Sequence, residues 1–100
     1  MILVMASSAF ASALGTVHEK AIIADSPDDL KKAHDIFEDG DQDSFIQMMR
    51  AGQVIVMAKD KAIQVDDVNA FEGWIKFHFR GRANVTFYVA IDDADVAMPQ

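Results

Sequence analysis

The sequence predicts an α+β domain in which an N-terminal helical hairpin is followed by a small, strongly curved β-barrel of about five antiparallel strands. Three observations predict it. Residues 74–80 (WIKFHFR) and 84–91 (NVTFYVAI) alternate apolar and polar side chains with the period of two that marks half-buried strands. Upstream, Ser26-Pro27-Asp28-Asp29 opens a stretch whose apolar residues recur at helical spacing. Gly52 stands where the helical period stops and the strand period begins.

In chain order, residues 1–14 (MILVMASSAFASAL) form an uncharged apolar run that passes into small residues and holds two Ala-x-Ala sites, Ala9–Ala11 and Ala11–Ala13. This is the pattern of a secretory signal peptide, and the run is too short to span a bilayer. The expected organisation is therefore a leader over 1–13, a lead-in with the helical hairpin over 14–52 and the barrel over 53–100, with 14–100 as one folded unit. Ala21-Ile22-Ile23-Ala24 reads as a first short strand or an ordered lead-in. Ser26 then suits an N-cap, Pro27 the first helical position, and Asp28 and Asp29 the positive end of the helix dipole. Leu30, Ala33 and Phe37 give this helix one apolar stripe ending near Glu38. Residues 39–44 break it, and a second helix carrying Phe45, Ile46, Met48 and Met49 runs to a left-handed cap at Gly52. The hairpin's apolar face, Leu30, Phe37, Phe45 and Met49, has to be covered.

Strands follow at 53–58 and 62–65, around the turn Lys59-Asp60-Lys61, and then at the two alternating runs. Residues 66–72 read as a polar connection, and 92–96 as a closing segment with a single helical turn. Ile75, Phe77 and Phe79 share a face with Val85, Phe87, Val89 and Ile91, because a one-residue slip would turn every aromatic into water. Paired residues must then have numbers summing to an even value, which an odd loop satisfies, most simply Gly81-Arg82-Ala83. The opposite face carries Trp74, Lys76, His78 and Arg80 beside Thr86 and Tyr88.

Charge and composition remove several classes of function. A net charge of −7 repels phosphate backbones and argues against nucleic acid as a partner. The absence of cysteine removes disulfides, thiolate nucleophiles and thiol-ligated zinc. Gly-x-Ser-x-Gly, phosphate-cradling glycine loops and His-Glu-x-x-His are all missing, so the expectation is a protein that is not an enzyme and uses no cofactor. Asp39-x-Asp41-x-Asp43 has the start of a calcium loop, with Ile46 at its apolar eighth position. Ser44 replaces the glycine needed at the sixth and Arg50 the bidentate glutamate at the twelfth, so an acidic capping turn is the better reading of Asp39, Asp41 and Asp43. His18, His34 and His78 lie on separate segments without metal-ligand spacing.

Gly52-x-Val54-x-Val56, Val65-Asp66, Gly73-Trp74-Ile75-Lys76-Phe77, Arg80-Gly81 and Phe87-Tyr88-Val89 together resemble the bacterial SH3-like domains of exported proteins, over about the last forty-five residues. In the last strand this chain has Phe87-Tyr88-Val89 where the family often has Gly-Trp-Val. The resemblance implies an SH3-like barrel that serves as a binding or cell-wall-targeting module.

The expected function is accordingly an exported, periplasmic or secreted binding module that recognises a protein, a peptide or a cell-wall glycan. Trp74, Lys76, His78, Arg80 and Tyr88 are the candidate ligand-binding residues, since aromatic and cationic groups gathered on a strand face are common at recognition sites. The competing structural expectation is that the helices cover this face and make Trp74 and Tyr88 part of a second core. A different functional class is a small periplasmic enzyme inhibitor that presents the acidic loop 39–43 to a basic cleft. The oligomeric state is not encoded in these patterns.

Overall fold

The computed structural model describes residues 13–96, which carry seven strands and two helices. In order these are β1 (Ala13–Val17), β2 (Ile22–Ala24), α1 (Pro27–Glu38), α2 (Gln42–Arg50), β3 (Val54–Val56), β4 (Lys61–Asn69), β5 (Trp74–Phe79), β6 (Phe87–Ala90), a 3-10 turn (Ile91–Asp93) and β7 (Ala94–Val96). Apart from Ala13, the expected leader lies outside the described residues. No helix among the described residues is long and apolar enough to cross a membrane.

α1 starts as its sequence requires. Ser26 Oγ accepts the Asp29 N–H at 3.1 Å, and Pro27 occupies the first turn, where no N–H is needed. Both helices end alike. Gly40 and Gly52 adopt φ of 75° and 76°, and the amide after each reaches back to the third-last helical carbonyl: Asp41 N–H to Ile36 at 3.1 Å, Gln53 N–H to Met48 at 3.0 Å. Asp41 is the last residue of one motif and the N-cap of α2.

The strands form one antiparallel sheet in the order β3-β2-β6-β5-β4-β1-β7. Two expectations are corrected here. The strands number seven rather than about five, because β1 and β2 from before the helices join the sheet. The sheet is also open, with β3 and β7 as its unpaired edges among the described residues, where a barrel was expected. β1 escapes a pattern reading because Ala-Leu-Gly-Thr-Val has little alternation. Its Gly15 is required by crowding: a Cβ there would stand 2.6 Å from the Asp95 carbonyl oxygen of the neighbouring β7.

The sheet has two apolar faces. On one, Val17, Ile23, Ile63, Val65, Ile75, Phe77 and Val89 are fully buried without any helical residue among them, so the sheet must curl until its own strands cover one another. Phe77, Phe79 and Phe87 meet there with ring centroids 5.4–6.0 Å apart, as parity requires. On the other face Ile22, Ala24 and Val54 pack under Leu30 and Ala33 of α1 and Phe45 and Met48 of α2.

Three further expectations shift. The β5–β6 register has the predicted even sum, Phe77 opposite Phe87, but the ladder stops there, and Gly81-Arg82-Ala83 lies within a longer connection that leaves Val85 exposed. The expected polar connection after Val65 is instead largely strand, since β4 continues to Asn69 past a bulge at Asp66. On the helices Phe37 is 63% exposed and Met49 is exposed in part, while Met48 takes the buried position. Phe37 lies at the end of α1, where its ring meets that of Phe45 at 5.7 Å.

Candidate functional site

Strand β5 presents Trp74, Lys76 and His78 at alternate positions on the face away from Phe77, and Arg80 follows just past its end. The five residues expected to form one patch fall into two environments. Trp74 and Tyr88 meet edge to face at 5.0 Å and lie half-buried against the helix-covered cluster. Lys76, opposite both Tyr88 and Asp67, marks the boundary. Beyond it the same face carries His78 and the exposed Arg80.

His78 is held by the bulge. The extra residue, Asp66, turns its carboxylate onto the His78 face and accepts from Nδ1 at 2.9 Å, which fixes the ring. Its side chain retains 13% exposure. The pair braces β4 against β5.

At the other end of β5, a cavity of about 530 Å³ opens between the first turns of α1 and the turn that leads into Trp74. Its polar lining comes from Asp28, Lys31 and His34 on α1 and from Glu72 on the turn, with Trp74 and Leu30 as apolar walls. The turn is rigidly built. Asn69 Oδ1 accepts the Glu72 N–H at 2.9 Å, Gly73 with φ of 85° donates to the Asn69 carbonyl at 2.7 Å, and Ile91 N–H donates to the Gly73 carbonyl at 3.0 Å. Glu72 then accepts from Trp74 Nε1 at 3.1 Å, which orients the indole. Phe71, at the tip of the turn, is 99% exposed.

His34 lines this cavity and also a second one of about 410 Å³, with Lys20, Ile22, Phe37, Val56 and Asp93. Its Nε2 is buried and has no hydrogen-bond partner among the described residues. A buried polar atom left unpaired costs about 1–3 kcal/mol, so this nitrogen is a local cost to the fold beside the groove. Just before α1, the Asp25 carboxyl is held above the usual carboxylate range, chiefly because it shares a hydrogen bond with the Asp29 carboxyl and also by burial.

The acidic loop is occupied with capping. Asp39 is the C-cap of α1, and Asp41 accepts from the Ser44 N–H at 3.2 Å and the Ser44 hydroxyl at 2.7 Å, bonds that hold its carboxyl below the usual range. Asp43 lies in the first turn of α2. Among the described residues no group of three metal-ligating side chains is disposed to hold an ion.

Sequence patterning reached Trp74 but not Asp28, Lys31, His34, Phe71 or Glu72 as its companions. The available signal was His34 at the border of the Leu30–Ala33 stripe, facing a strand segment that only the sheet order identifies. Comparison with family models, curated proteins and solved structures finds no match for this chain.

Proposed function

We propose that this chain is an exported, non-enzymatic binding module related to the SH3-like domains, a curled open sheet with two helices on one face, which recognises a protein, peptide or cell-wall component in the groove beside Trp74. The observation that carries the reading is a groove walled by an indole that Glu72 orients and lined by the polar side chains of Asp28, Lys31, His34 and Glu72. A cavity of about 530 Å³ lies in the size range of small-ligand sites. Carboxylates, an ammonium group and an imidazole around an aromatic plate supply both donors and acceptors, which suits a ligand with hydroxyl or amide groups. The exposed Phe71 at the rim adds apolar contact area. The acidic-loop inhibitor has less support, because Asp41 is engaged by Ser44.

Trp74 is the sole tryptophan, so its fluorescence reports on the groove directly. Titration with soluble peptidoglycan fragments, and separately with unstructured peptides, should change its emission saturably with one of the two, and His34→Ala should weaken that response by about tenfold or more. Emission indifferent to both ligand classes at millimolar concentration would remove the groove from consideration.

A further inference from the structure

Strand β3 is an edge whose chemistry points outward. Met57 N–H donates to the Ala21 carbonyl at 2.9 Å and Asp25 N–H to the Gln53 carbonyl at 3.2 Å, so the residues of β3 that bond inward to β2 are the odd-numbered ones, with Ile55 facing Ile23. The N–H and C=O groups of Val54 and Val56 therefore point away from the sheet. Edges of natural sheets are usually blunted by charge, proline or a bulge. The opposite edge, β7, follows that rule with Asp95. β3 reads Val-Ile-Val, with Ile55 47% and Val56 39% exposed and no ionisable side chain.

We propose that β3 is a self-association surface, on which a second copy of this chain pairs antiparallel about a two-fold axis at Ile55. Self-complementarity selects that occupant. Pairing about Ile55 sets Val54 against the partner's Val56 and Val56 against the partner's Val54, so every outward donor meets an outward acceptor. Ile55 then lies against its own copy in the closer, non-hydrogen-bonded position. Each cross-strand pair is β-branched on β-branched, the combination sheets favour. The apolar surface continues beyond the strand. Val56 and Phe37 line one cavity, and Phe37 and Ile46 line the next, giving the short strand an adjoining apolar strip with Lys20, Asp93 and Asp41 at its margins. The −7 charge on each copy opposes association, so the dimer is strengthened by salt.

Sedimentation of the full chain from micromolar to millimolar concentration, at low and high salt, tests this. A dimer fraction that rises with both concentration and salt is expected. Val56→Pro deletes an N–H that makes no bond among the described residues, and Ile55→Lys sets two ammonium groups across the axis. Each should weaken association about tenfold or more. Circular dichroism verifies folding, and Ile55→Lys at its half-exposed position keeps the test decisive should the proline variant unfold. A wild type that stays monomeric overturns the proposal. Dimers unaffected by Ile55→Lys overturn it, and so does a monomer that instead accepts an added Val-Ile-Val peptide.

Discussion

The buried residues of the helix-covered cluster all lie between Ile22 and Val54, whereas the strand-lined cluster gathers its members from Val17 to Ala94. One is local in sequence and the other spans the chain. β2 belongs to both, with Ile22 and Ala24 facing the helices and Ile23 facing the strands, which is why all three residues are buried. Elements joined by a few local contacts can open while the rest of a domain stays folded. The strand-lined cluster should therefore set global stability. The helices, whose groove-lining residues Asp28, Lys31 and His34 surround the candidate site, should form the more easily opened layer.

The largest effect should come from Phe77→Ala. Phe77 is fully buried, and its ring meets those of Phe79 and Phe87. Truncating such a side chain costs about 3–5 kcal/mol, much of a small domain's stability, so helix and sheet signals should be lost together in chemical denaturation. Leu30→Ala, in the other cluster, should cost about 2–5 kcal/mol and act differently. Amide exchange should accelerate across α1 and α2 while the Ile63 and Val65 amides keep their protection. Trp74 emission should also shift, since the indole packs on that cluster. Equal loss of protection at Ile63 would mean that the two clusters melt as one and that the comparison fails.

The legible part of the fold was whatever a single element encodes. Ser26, Pro27, Gly40 and Gly52 fix the helix ends through their own backbone chemistry, and the alternation around Phe77 and Phe87 fixes a register through the cost of exposing aromatics. What escaped depends on distant partners. β1 is a strand because β4 and β7 flank it, and Gly15 records only the crowding between them. The bulge at Asp66 shows no signature beyond an acid that finds His78 twelve residues later. The site was half legible for the same reason: Trp74 stands out as a lone indole on an alternating strand, while His34 becomes a groove residue only when α1 crosses β2 and β6.

The smallest effect concerns the rim of the strand-lined cluster, where His18 ties the end of β1 to edge strand β7. Its Nε2 lies 3.0 Å from the Asp95 carboxylate, and its N–H donates to the Asp93 carbonyl at 3.0 Å. The hydrogen bond to Asp95 holds the imidazole above its ordinary value, opposed by desolvation and assisted by the charges of Asp95, Asp60 and Asp93. A group whose folded value is raised stabilises the fold when protonated. Its contribution is complete below the ordinary histidine range and is lost as pH rises through the raised value. Both side chains are open to solvent, at 40% and 84%, so salt should flatten the effect. After correction for intrinsic exchange, the amides of Asp95 and of Thr16 opposite it should lose protection on going from mildly acidic to mildly alkaline pH, and those of α1 and α2 should not. His18→Gln should abolish that step. Its persistence in the variant would assign the loosening of β7 to some other group, and a matching step in the helices would show that the rim of one cluster is coupled to the other.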